Sequence, residues 1–181
     1  MLYPKPFSQK QVLFLCRVNG ARSLMAEAIT NAFAGDGFRA YSAGLEPIEF
    51  APKLAFKVLE ERGIPTIGLR PKDVREFTGA QAKPFDFVIT TCGLKAGEVC
   101  PTWPGQPVLA LWNLPTPSGG DNIAELYREM NELYDALFLC VNAFLNLPLA
   151  VMDKFALGHE IDDIGQSAER TQRALEARLA S

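Results

Sequence analysis

One short stretch constrains the fold of this 181-residue chain more than any other. An apolar run, Gln11 to Cys16 (QVLFLC), opens into a polar turn, CRVNGARS (Cys16 to Ser23), and then into a segment of helical composition, Ser23 to Phe33 (SLMAEAITNAF). The run reads as a strand buried on both faces, which requires covering layers above and below it. The same alternation returns along the chain. Phe38 to Ala43 alternates as a second strand, Ala51 to Arg62 is an amphipathic helix stopped by Gly63, and Phe87 to Thr91 and Val108 to Trp112 are further strands. Asp121 to Leu145 carries Leu126, Met130, Leu133, Leu137, Val141 and Phe144 at helical spacing. Pro148 ends that pattern, and Leu149 to Ile164 and Ala168 to Leu179 read as two more helices around Gly165. Strands alternating with helices predict an α/β fold, a doubly wound four-stranded parallel sheet with helices on both faces. The expected organisation is a single domain over residues 1–165 and a helical extension over 166–181.

Charge and hydropathy narrow the function. The formal net charge of −3 leaves no broad basic footprint for nucleic acid. The longest apolar stretch, Leu137 to Met152, is interrupted by Asn142, Asn146 and Pro148 and is shorter than the roughly 20 residues of a membrane span. Met1 to Lys10 holds two prolines and no apolar signal core. The expectation is a soluble, cytoplasmic protein that contacts neither nucleic acid nor membrane. Four cysteines (16, 92, 100 and 140) are too few for a secreted disulfide scaffold. Such cysteines are core residues, ligands or reactive groups.

The turn after the first strand answers that for one of them. A strand–turn–helix junction aims the backbone N–H groups of Arg17, Val18, Asn19, Gly20 and Ala21 at one point, with a helix N-terminus behind them. This is an anion cradle. Arg22 can grip a tetrahedral oxyanion with two parallel hydrogen bonds. Cys16 lies at the base, where the same positive field favours thiolate. A thiolate facing a bound oxyanion is a nucleophile facing its electrophile.

Cys92 follows the third strand at the same ligand-binding edge, and Cys100 lies in a Gly- and Pro-bearing segment beyond it. Cys140 sits beside the apolar face of its helix and reads as core. His159 stands alone in a helical segment, a surface or capping residue, and no metal site or other cofactor is expected.

VLFLCRVNGARSLMAEA, together with YSAG (Tyr41 to Gly44), FDFVITTC (Phe85 to Cys92) and EVCPTWPG (Glu98 to Gly105), resembles the low-molecular-weight tyrosine phosphatases and the thioredoxin-coupled arsenate reductases that share their fold. The resemblance covers approximately Val12 to Gly165. It implies Cys16 as nucleophile, Arg22 as oxyanion binder, Asn19 as loop organiser and Ser23 as the hydroxyl that stabilises the thiolate. For the reductases it further implies a relay. Cys92 resolves the Cys16 adduct, Cys100 takes over the disulfide, and thioredoxin reduces it.

Four residues depart from the family pattern. Thr116-Pro117 stands where the family carries an Asp-Pro pair whose Asp donates a proton to the leaving oxygen, and Asp121 is the nearest carboxylate in sequence. Gly93 replaces a frequent acidic residue, and Arg17 and Gly20 replace the smaller and more polar residues common in the nucleophile loop, Arg17 adding a cation at the pocket rim or in solvent. Three functions are compatible with these features: reduction of arsenate, phosphatase chemistry through a phosphocysteine on a phosphoester, and non-catalytic oxyanion binding or redox sensing. The lost carboxylic acid counts most against the second.

Overall fold

The computed structural model describes residues 9–79, 81–93, 101–119 and 121–179, with the backbone alone at 175, 176, 178 and 179. Four strands, β1 (Lys10–Cys16), β2 (Phe38–Gly44), β3 (Phe87–Thr90) and β4 (Val108–Leu111), pair in parallel in the order β2-β1-β3-β4. Four α-helices accompany them, α1 (Ala21–Phe33), α2 (Lys53–Glu61), α3 (Ile123–Leu145) and α4 (Lys154–Leu179). From β1 the chain crosses one way to β2, then returns past β1 to β3. The winding therefore reverses at β1, and the crevice at the C-terminal end of that strand is the ligand position of such sheets.

The two faces of the sheet are covered differently. Val12, Phe14, Ala40, Phe87, Ile89 and Ala110 point to one side and share a continuous core with all four α-helices. Leu13, Leu15, Ala43 and Val88 point to the other, where a single turn of 3-10 helix (Val74–Phe77), Phe85 and Trp103 cover them. In the larger core Phe144 of α3 meets Phe38, Phe87 and Trp112 at ring separations of 5.2–6.2 Å.

The expected elements are present, with boundary shifts that have identifiable causes. α3 begins at Ile123 because the Asn122 side chain caps it, accepting the Glu125 N–H at 3.1 Å. The region from Leu149 becomes helical only at Lys154, where Asp153 accepts the Ala156 N–H at 2.8 Å. The two helices expected around Gly165 are one, α4, which runs through that residue without interruption. Gly165 serves packing there. A Cβ on it would lie 2.6 Å from Trp112 Cδ1 and 2.7 Å from the Leu111 carbonyl. The helix thus closes on β4, and Asp162 accepts the Leu111 N–H at 2.7 Å while the Ile161 carbonyl accepts the Trp112 indole N–H at 2.9 Å. Among the described residues no helix is long and apolar enough to cross a membrane.

Candidate active site

Cys16 is the last residue of β1, and the turn that follows is shaped by its neighbours. The Arg17 and Val18 carbonyls accept the N–H groups of Glu46 (2.8 Å) and Ile48 (3.0 Å). The C=O and N–H of one planar peptide point in opposite directions, so the Val18 and Asn19 N–H groups face the other side of the turn. Asn19 adopts φ 45°, a left-handed conformation that asparagine tolerates better than most residues. Gly44, at the end of β2, makes room for the turn. A Cβ there would fall 2.6 Å from Asn19 N and 2.9 Å from the Arg17 carbonyl. α1 then begins after Gly20 with no side-chain cap and no acidic residue in its first turn. Its N-terminal N–H groups and dipole are consequently not offset by a carboxylate.

The base of the turn is a buried polar network. Cys16 Sγ lies 2.9 Å from Ser23 Oγ. The Asn19 amide nitrogen donates to Ser23 Oγ and to Ser42 Oγ, both at 2.9 Å, and its oxygen accepts the Lys72 N–H at 2.6 Å. Ser42 donates to Glu27 Oε2 at 2.5 Å, and the same carboxylate oxygen accepts Lys72 Nζ at 2.9 Å. Asn19, Ser23 and Ser42 are fully buried, and Glu27 and Lys72 nearly so.

Sequence reasoning on the turn did not find Ser42, Glu27 and Lys72. Ser42 lay within the YSAG motif without a role. Glu27 carried a signal in retrospect, a lone carboxylate flanked by Leu24, Met25, Ala26, Ala28 and Ile29, all buried. Lys72 has no local signal, because 53 residues separate it from Asn19.

The remaining expected site residues fall as follows. Arg22 is half-buried, and its guanidinium donates to the Leu114 carbonyl at 3.0 Å, which ties it to the segment after β4. Arg17, at the rim, pairs with Glu46 at 3.2 Å. Cys92 is buried just beyond β3. Leu15 pairs with Thr90, and the Thr91 N–H donates to the Leu15 carbonyl at 2.7 Å. The pairing thus brings Cys16 and Cys92 to the same end of adjacent strands. Cys100 lies outside the described residues. Thr116 and Asp121 are exposed, as is His159, whose ring meets Phe155 edge-on at 4.5 Å. Cys140 is buried in α3 and is no part of this constellation.

A family model described as low molecular weight phosphotyrosine protein phosphatase matches residues 11–138. Among curated proteins, the chain is 33% identical to an arsenate reductase of Bacillus licheniformis over 65% of its own length and 81% of that protein. Among solved structures, it resembles an arsenate reductase from Archaeoglobus fulgidus with TM-score 0.55 and 33% identity, covering 72% of this chain and 98% of that one. It also resembles a thioredoxin-dependent arsenate reductase from Corynebacterium glutamicum with TM-score 0.51 and 30% identity, covering 76% of this chain and 64% of that one.

Proposed function

The chain belongs to the low molecular weight phosphotyrosine protein phosphatase family, and from that premise we propose that it is an arsenate reductase with Cys16 as nucleophile. One observation carries the choice within the family. A second buried cysteine, Cys92, lies just beyond the strand next to that of Cys16, at the same edge of the sheet. Hydrolysis of a phosphocysteine needs water and a proton donor. Reduction needs a second thiol, and this chain carries a buried one at the same end of the neighbouring strand.

The steps follow from thiol chemistry. Arsenate enters the cradle, held by the turn N–H groups and the Arg22 guanidinium, which exchanges the Leu114 carbonyl for two oxyanion oxygens. The Cys16 thiolate attacks arsenic(V), and one arsenate oxygen leaves as water. The Cys92 thiolate then attacks the Cys16 sulfur. The S–As bond breaks, its electron pair stays on arsenic, and arsenite leaves as the arsenic(III) product. Two thiols have become one disulfide and arsenic has gained two electrons, so the step balances. Cys100 next attacks Cys92, which frees Cys16, and a thioredoxin dithiol reduces the Cys92–Cys100 disulfide. One solved relative is described as thioredoxin-dependent, which supports thioredoxin as the donor.

Arsenate-dependent NADPH consumption with thioredoxin and its reductase tests the reading. Turnover is expected in the native chain, with a loss of at least about a hundredfold on Cys100→Ser. Unchanged turnover in that variant would remove the three-cysteine relay. Aryl phosphate hydrolysis is expected to be slow because the loop after β4 offers Thr116 where an acid is needed. A missing general acid costs roughly 10²- to 10⁴-fold. Thr116→Asp should therefore raise aryl phosphate hydrolysis at least about tenfold and leave arsenate turnover within about twofold. A fast native phosphatase insensitive to that substitution would favour the hydrolase instead.

A further inference from the structure

We infer, taking Arg22 as the oxyanion binder of the proposed function, that α4 is a positioning element for its guanidinium. The helix acts through Trp112 and through the stiff segment that carries the Leu114 carbonyl.

Three links make the connection. The first is the contact of α4 with the chain that leaves β4. Residues 158, 161, 162, 165, 169 and 172 fall on one stripe of the helix. Along that stripe, successive turns meet successive stretches of the chain. Gly158 passes the Leu109 carbonyl, and Asp162 accepts the Leu111 N–H at 2.7 Å. The Ile161 carbonyl accepts the Trp112 indole N–H at 2.9 Å, and Gly165 leaves room for the ring itself. Further on, Glu169 Oε1 meets Asn113 Nδ2 at 3.4 Å. Gln172 then lines a space of about 200 Å3 together with Pro115, Thr116 and Pro117.

Trp112 is the second link and the positioning residue. It is fully buried, its backbone N–H donates to the Thr90 carbonyl at 2.7 Å, and its ring meets Phe14 at 5.6 Å. Its own carbonyl accepts the Leu114 N–H at 2.8 Å. The third link is the run Leu114-Pro115-Thr116-Pro117. Each proline fixes its own φ and holds the residue before it extended, so this run moves as a unit. Leu114 is buried in the larger core, and its carbonyl accepts Arg22 Nη1 at 3.0 Å. The place of that carbonyl is therefore set by Trp112, and the place of Trp112 by α4.

A long cationic side chain that closes on a ligand loses its rotamer freedom at that moment. The Leu114 carbonyl takes that loss in advance, holding the guanidinium before an oxyanion arrives. It is a neutral acceptor with a single bond, so it yields to a charged oxyanion that offers two.

Inorganic phosphate is the probe. Its affinity is read from the protection of Cys16 against iodoacetamide, located by mass spectrometry, with circular dichroism as the check on folding. Trp112→Phe takes the indole N–H from the Ile161 carbonyl without a change of charge, and should weaken phosphate binding about threefold to tenfold. The alkylation rate without phosphate should stay within about twofold of native, because the turn and its sulfur are untouched. Asp162→Ala releases the Leu111 N–H without disturbing the core, so it carries the test if Trp112→Phe does not fold. By electrostatics alone the lost negative charge would strengthen phosphate binding, whereas a loosened hold weakens it about twofold to fivefold. In an Arg22→Ala background either change should shift phosphate affinity by less than about twofold, because both act through the guanidinium.

Native or tighter phosphate binding in every folded variant overturns the inference. So does a loss that persists in full without Arg22, or alkylation that falls in step with affinity. Neither arsenate nor a reductant enters these readings. A native chain that binds phosphate yet does not turn over arsenate would remove the proposed function and leave the hold on Arg22 standing.

Discussion

Cys16 and Cys140 are equally buried, each with 1% of its surface exposed, and their settings are opposite. Cys16 meets a serine hydroxyl, an uncapped helix N-terminus and a relay of donors. Cys140 lies at the groove between α3 and α4, a space of about 560 Å3 with apolar groups such as Leu139, Ala143 and Ile164 and, among its other lining residues, Asp135, Asp163 and Thr171. Its sulfur meets the Ile164 carbonyl at 4.0 Å, too far for more than a weak contact. Burial pushes the Cys140 thiol up to about 12, because a charged sulfur is costly to take out of water. Burial by itself makes a cysteine inert. Reactivity comes from the dipoles aimed at it.

The largest expected contrast is in turnover. Cys16→Ser should lower arsenate turnover by more than about 10³-fold, and Cys140→Ala should leave it within about twofold. Alkylation of the native protein at pH 8, mapped by mass spectrometry, should mark Cys16 and spare Cys140. Modification of Cys140 at a comparable rate would break the contrast.

Stability should rank the two sites the other way. Cys140→Ser puts a hydroxyl into an apolar wall and should cost about 1–3 kcal/mol in urea unfolding, whereas a serine at position 16 retains Ser23 as partner. The contrast also has a pH signature. The folded Cys140 value lies above the ordinary 9.0, so its neutral form contributes stability that is intact below about 9 and is lost as the pH rises toward 12. Cys140→Ala should remove that share of the alkaline loss, measured as the difference in unfolding midpoint between pH 8 and pH 11.

The reactive site was legible at its surface and hidden beneath it. The nucleophile, the arginine and the turn between them lie within eight consecutive residues, and an apolar run followed by a Gly-containing turn and a helix is a local pattern. Glu27 differs from a solvent-facing carboxylate only by its apolar neighbours, and Lys72 is ordinary in any local window, since charged side chains usually face solvent. Glu27 reaches the turn along α1, and only the crossover that returns the chain past β1 brings Lys72 under it. Gly165 misled in the reverse direction. Its low helix propensity reads as a break, while its missing side chain is what lets α4 reach Trp112.

That contact has a consequence for how the molecule behaves among its own copies. β4 lies at one end of the sheet, and an end strand offers its outward backbone groups to any other extended chain. Here Asp162 holds the Leu111 N–H, and the glycines of α4 pass within van der Waals reach of the Leu109 and Leu111 carbonyls. The helix occupies the groove into which a foreign strand would have to dock. Widening its footprint by even one methyl at position 165 would lift it away and leave that strand open to aggregation.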